Sequence, residues 1–72
     1  MTKEEIASLI QAGLPDASVK VIGDDGQHFE AAVISPAFAG KPLIAQHRMV
    51  YATLGERMGR DIHALKLVTR AP

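Results

Sequence analysis

The sequence contains no cysteine, no tryptophan, three aromatic residues in all, and no surplus of either charge. Each shortage excludes something. Without cysteine no disulfide can staple the fold, and any metal ligand the chain offers is histidine, aspartate or glutamate, with thiolate sulfur left to a partner. Lysine plus arginine balances aspartate plus glutamate at 8 each, so the basic footprint of a dedicated nucleic-acid binder is missing, while a local patch is still allowed. No apolar run approaches the roughly 20 residues of a membrane span. The opening Met1-Thr2-Lys3-Glu4-Glu5 does not read as a secretory signal, so the expected location is cytoplasmic, with no membrane contact. Eleven of the apolar residues in this 72-residue chain are alanine. What remains suffices for a single domain over residues 1–72 with one thin, two-layer core.

What is present reads as five elements. Thr2-Lys3-Glu4-Glu5 has the form of a capping box. The helix it opens carries Ile6, Leu9, Ile10 and Leu14 as an inner stripe, with Gly13 and Pro15 as its expected stop. Ser18 to Ile22 alternates as a short strand, Val19 and Val21 on one face, Lys20 and Ile22 on the other. Asp25-Gly26 supplies the positive φ of a hairpin turn, and His28 to Ser35 returns with Phe29, Ala31 and Val33 on one face. Adjacent alanines at 31 and 32 predict a helix packed close against this strand.

From Phe38 to Leu54 a breaker cluster, Gly40-Lys41-Pro42, leads into a helical pattern of about sixteen residues by apolar spacing. Pro42 suits its first turn, and Leu43, Val50, Leu54 and Met58 are expected on the inner face, with Phe38 tucked beneath. Gly59-Arg60-Asp61 makes the turn, and Ile62 to Thr69 forms a third strand. The predicted order is α-β-β-α-β: an antiparallel hairpin, then a right-handed helical crossover to a parallel third strand, with two helices on one face of a three-stranded mixed sheet.

Three segments at fixed spacing carry a resemblance. Phe38-Ala39-Gly40-Lys41-Pro42-Leu43, then Gln46-His47-Arg48-Met49-Val50-Tyr51, and finally Ile62-His63-Ala64-Leu65 together resemble the pattern F-x-G-x-x-x-x-x-x-H-R-x-V followed by I/V-H-A of the BolA-like proteins. The resemblance covers nearly the whole chain. It implies an α+β, class II KH-like fold, in agreement with the element order read from the residues. It also implies a non-catalytic adaptor that pairs with a monothiol glutaredoxin and shares a bridging [2Fe–2S] cluster. The partner would bring a cysteine and a glutathione thiol, and this chain histidine. Some members of the family are linked instead to DNA binding and transcriptional control.

Carried onto this sequence, the resemblance places a metal ligand at His63 and a second at His28. From spacing alone His63 reads as a partly covered histidine on the face of Leu65 and Leu67. His28 reads equally as a hairpin residue, because some relatives place their loop ligand where this chain has Asp24 and Asp25. His47 and Arg48, with Lys41, are either a partner- or nucleic-acid-facing surface or an internally bonded histidine beside a solvated arginine. Tyr51 reads as packing. The long helix is expected to fix the distance between the two imidazoles.

The nucleic-acid reading is the weaker one. KH modules clamp a nucleotide backbone with G-x-x-G, and the corresponding Ala39-Gly40-Lys41-Pro42 holds one glycine. No Ser/His/Asp or Cys/His set, and no phosphate-cradling loop, supports an enzyme. Whether the chain alone forms a homodimer is left open.

Overall fold

The computed structural model describes residues 1–23 and 25–72. Helix α1 spans Lys3–Gly13 and begins with the expected capping box. The Thr2 hydroxyl accepts the Glu5 N–H at 3.1 Å, and the Thr2 N–H donates to the Glu5 carboxylate at 3.1 Å. That second bond is the main cause holding the Glu5 carboxyl below its usual pKa. Ile6 and Ile10 are fully buried and Leu14 closes the row.

Gly13 does not end α1 in the way a left-handed terminal glycine would. It is helical, and the positive φ values belong to Gly26, Gly40, Gly55 and Gly59. Its role is to let two helices touch: a Cβ there would lie 2.5 Å from Thr53 Cγ2 and 2.9 Å from Thr53 Cβ. The stop comes one residue later, where Leu14 leaves the helical region and Pro15 follows. The Gln11 side-chain amide then gathers the emerging chain, donating to the Ala17 carbonyl at 2.8 Å and reaching those of Leu14 and Pro15.

Strand β1 spans Ser18–Ile22 and β2 spans His28–Ile34. They pair antiparallel with Val19 opposite Val33 and Val21 opposite Ala31. Strand β3, Ala64–Arg70, runs parallel to β2 from His28 opposite Ala64 to Ile34 opposite Arg70, so β2 is the centre of the sheet. Phe29, Ala31 and Val33 face inward and join Ile6, Ile10, Val50 and Leu54 in one core. Ala31 is fully covered, whereas Ala32, on the opposite face, is only partly so, and the helices make their main contacts with β1 and β3 rather than with this strand. The opposite face of the sheet carries no helix, and Ile22 and Val68 are about half exposed on it (50% and 49%).

Between β2 and β3 the chain first makes a 3₁₀ turn, Pro36–Phe38, capped by the Ser35 hydroxyl. It seats Phe38 in the core at 1% exposure. Helix α2 follows over Leu43–Leu54. It is 12 residues long, shorter than its apolar pattern suggests, because Gly55 turns at φ 58 and a 3₁₀ turn, Gly55–Arg57, takes over. Pro42 is the residue just before the helix rather than in its first turn.

The inner row of α2 also differs from expectation. It is Gln46, Val50 and Leu54, whereas Leu43 is 61% exposed. Gln46 already meets Thr69, the penultimate residue of β3, so one turn earlier little sheet remains to cover Leu43. Met58 packs on the core from beyond the helix. The third strand starts at Ala64 rather than Ile62; Ile62 forms an isolated bridge with Met58 and is fully buried.

Gln46 is polar in an otherwise apolar row, and both ends of its amide are hydrogen-bonded. Its oxygen accepts the Thr69 hydroxyl at 2.8 Å and its nitrogen donates to the Lys41 carbonyl at 2.8 Å. One buried amide thus ties the entry of α2 to the far end of β3. Such a network stabilises only when every member is satisfied.

These contacts set two stability outcomes. Gly13→Ala should destabilise by about 1–3 kcal/mol despite the better helix propensity of alanine, because the added methyl overpacks against Thr53. Thr53→Ala in that background should recover part of the loss in urea unfolding. Gln46→Leu should cost about 1–3 kcal/mol by stranding the Thr69 hydroxyl and the Lys41 carbonyl. Adding Thr69→Val should restore much of it, since the two polar partners are then removed together.

Candidate functional site

His28 and His63 flank the start of the parallel ladder. His28 is the first residue of β2 and stands opposite Ala64, the first of β3. The Ala64 N–H donates to the Gln27 carbonyl at 3.2 Å, extending the pairing one step past the strand ends. His63 immediately precedes Ala64. With strands about 4.8 Å apart and residues about 3.3 Å apart along them, the two histidine Cα atoms lie on the order of 6 Å from each other. Both side chains are exposed. The ladder sets this backbone separation, and α2, which returns the chain to the start of β3, helps select its register.

The chain returns to His63 through a compact turn. The Arg57 carbonyl accepts the N–H groups of Arg60, Asp61 and Ile62 at 3.2, 3.0 and 3.0 Å, and the Gly59 N–H donates to the Ile62 carbonyl at 2.9 Å. Gly59 sits at φ 86, a conformation that costs a glycine little. With Ile62 locked in the core, the next residue emerges at the surface. His63 therefore lies outside the strand and is not covered alongside Leu65 and Leu67, as alternation alone would have it.

His28 is held by Asp25. One carboxylate oxygen accepts the backbone N–H groups of Gln27 and His28 at 2.9 and 2.8 Å. The other lies 2.7 Å from His28 Nδ1. Gly26, at φ 73, lets the loop fold back so that one aspartate reaches all three groups. The His28 backbone N–H, then its ring, then the Gln27 N–H hold the Asp25 carboxyl far below the usual carboxylate range. Asp25 is thus committed to the turn and the imidazole. Asp24, the other acidic residue of this loop, lies outside the described residues. A neutral His28 that gives its Nδ1–H to Asp25 presents Nε2 with a free lone pair, the arrangement found behind metal-bound histidines. On the helix-free face beside it, Ile22, Gly23, Phe29, Glu30 and Lys66 line a shallow depression.

Lys41, His47 and Arg48 are placed elsewhere. Lys41 and Arg48 are exposed and His47 is half-buried. Gln46, their neighbour, is bonded to Thr69, five residues along β3 from Ala64 and so about 17 Å from the imidazole pair. The histidine–arginine dipeptide and the two candidate ligands therefore occupy opposite ends of the sheet. Tyr51, expected to pack, is 37% exposed on the same helix as Leu43 and Ile44.

Among the described residues no group of three or more histidine, aspartate or glutamate side chains is close enough to hold a metal. The chain offers two exposed histidines whose backbones are adjacent at the start of the ladder. The sequence reading took Asp25 for its turn with Gly26 and as a position where some relatives carry a loop ligand, not as the partner of His28; the signal available was an aspartate three residues ahead of a strand-initial histidine. Nothing local marked Gln46 or Thr69 as a buried pair.

The sequence profile of the BolA-like protein family matches residues 8–72. Protein BOLA2 of Arabidopsis thaliana is 40% identical over 70 residues, covering 93% of this chain and 74% of that protein. The DNA-binding transcriptional regulator BolA of Escherichia coli (strain K12) is 28% identical over 78 residues, covering 96% of this chain and 74% of the regulator. The chain spans only 14% of another relative, the chloroplastic and mitochondrial SufE-like protein 1 of Arabidopsis thaliana. Among solved structures, a bolA protein homologue from Coxiella burnetii superposes with a TM-score of 0.88 at 44% identity, covering 100% of this chain and 92% of that one. By sequence, by the order and pairing of its strands, and by the placing of its three signature segments, the chain belongs to the BolA-like protein family.

Proposed function

We propose that this protein is a non-catalytic cytoplasmic adaptor that joins a monothiol glutaredoxin and helps hold a bridging [2Fe–2S] cluster, with His63 as first ligand and His28 as second. The observation that carries this reading is that two exposed histidines have adjacent backbones at the start of the β2–β3 ladder, the ring of one backed by a carboxylate. The donor set fits half of a cluster's needs. Neutral imidazole ligates iron, and the two thiolates that this cysteine-free chain lacks would come from the partner's cysteine and its glutathione. Histidine in place of thiolate on one iron raises the potential of a [2Fe–2S] centre. The cluster supplies the electron or sulfide chemistry; this chain's residues supply two nitrogen donors, their spacing and an open approach.

A second reading rests on the Escherichia coli relative, which is described as a DNA-binding transcriptional regulator. In this chain Lys41 and Arg48, both exposed at the other end of the sheet, are the groups that would contact phosphate.

Adding the protein to cluster-loaded glutaredoxin should change the visible absorption and circular dichroism of the cluster. His63→Ala should abolish the change and His28→Ala should weaken it; identical spectra with and without His63 would sink the ligand assignment. For the second reading, duplex affinity should fall steeply between about 50 and 200 mM salt, and Lys41→Ala with Arg48→Ala should flatten that slope. No binding at about 50 mM salt disposes of it.

A further inference from the structure

We propose that Asp25 is a positioning residue for His28, holding the Nδ1–H tautomer of the ring so that Nε2 faces outward as the ligating atom. The inference deepens the adaptor reading above and rests on it for its purpose, although the tautomer itself is a property of the free protein.

The two oxygens of Asp25 divide the work. The first is tied to two backbone N–H groups, those of Gln27 and His28, so the carboxylate cannot swing independently of the turn. The second then meets His28 Nδ1 at 2.7 Å. A carboxylate only accepts, so the proton of the neutral ring must sit on Nδ1 and the lone pair on Nε2. The ring direction is thereby referred back to the hairpin backbone, and from there to the ladder that begins at His28 and Ala64. Both side chains are largely exposed, so burial does not orient this imidazole; the carboxylate does. A metal ligand needs a neutral nitrogen with a fixed lone-pair direction, and removing the group behind such a histidine commonly costs 10–100-fold in metal affinity.

The asparagine variant separates the turn from the tautomer. In Asp25→Asn the amide oxygen can still accept the two backbone N–H groups, but the amide nitrogen is a donor and meets Nδ1 as an acceptor. The neutral ring must then carry its proton on Nε2, where a metal would bind. Ring nitrogen-15 shifts of His28 in the free protein, above about pH 8 where an ordinary histidine is neutral, should report Nδ1–H in the parent and Nε2–H in Asp25→Asn. Thermal unfolding reports separately whether the turn is intact, and Asp25→Ser, whose hydroxyl can close the turn without reaching the ring, should lose the tautomer preference with little loss of stability. With cluster-loaded glutaredoxin, Asp25→Asn should need on the order of 10–100-fold more protein to produce the parent's spectral change. A parent ring already in the Nε2–H form overturns the proposal. So does an asparagine variant that switches tautomer yet keeps full affinity for the loaded partner. If the parent itself leaves the cluster spectrum unchanged, the adaptor reading falls, while the nitrogen shifts still decide what Asp25 does to His28.

Discussion

A parallel pair of strands cannot be closed by a tight turn, so a chain that pairs β2 with β3 must travel back along the whole strand before it can begin the second one. Here that return is α2 with its flanking 3₁₀ turns, Pro36–Phe38 and Gly55–Arg57. Most of the remaining architecture depends on this constraint. The returning helix has to lie on the sheet, which buries Val50 and Leu54 in the same core as Ala31 and Val33. It has to start near the end of β3 and finish near its beginning, which brings Gln46 to Thr69 and the Met58–Ile62 bridge to the other end. Because parallel strands start at the same edge, the residues just before each strand are neighbours in space although half the chain separates them. Those residues are Gln27 and His63.

The site uses that geometry economically. One histidine opens a strand and is oriented by its own hairpin; the other leaves a tight turn whose preceding residue, Ile62, is anchored in the core. Neither requires a cavity, and both stand where a partner could approach from beyond the sheet edge. The histidine–arginine dipeptide, the most recognisable mark of the family in this sequence, is about 17 Å away by strand length. The family's mark and the proposed ligands are thus separate in the fold: the first lies on the helix, the second at the ends of the strands.

How far each feature was legible depended on how local its cause is. The capping box at Thr2 and Glu5, the strand Ser18–Ile22 and the positive φ of Gly26 are produced by residues within a few positions of one another, and each appears as read. Gly13 was legible as special but its reason was not: the missing Cβ makes room for Thr53, forty residues away. Leu43 has the right spacing for the inner row of α2, yet the sheet ends before reaching it. Gln46 and Thr69 look like ordinary polar residues until the fold places them opposite each other and away from water. At the site, His28 and His63 could be named from the resemblance to a family, whereas nothing in their spacing said that they would be neighbours.

Residue types and short-range periodicity alone were enough for the element order, the faces of the strands, the absence of any thiolate ligand and the family. The tertiary structure decided that the backbones of His28 and His63 are neighbours, that Asp25 stands behind the His28 ring, and that Lys41, His47 and Arg48 lie toward the other end of the sheet. The physical reason is the parallel ladder: its register sets contacts between residues far apart in the chain, and only the packed helix that returns the chain to the same edge selects that register.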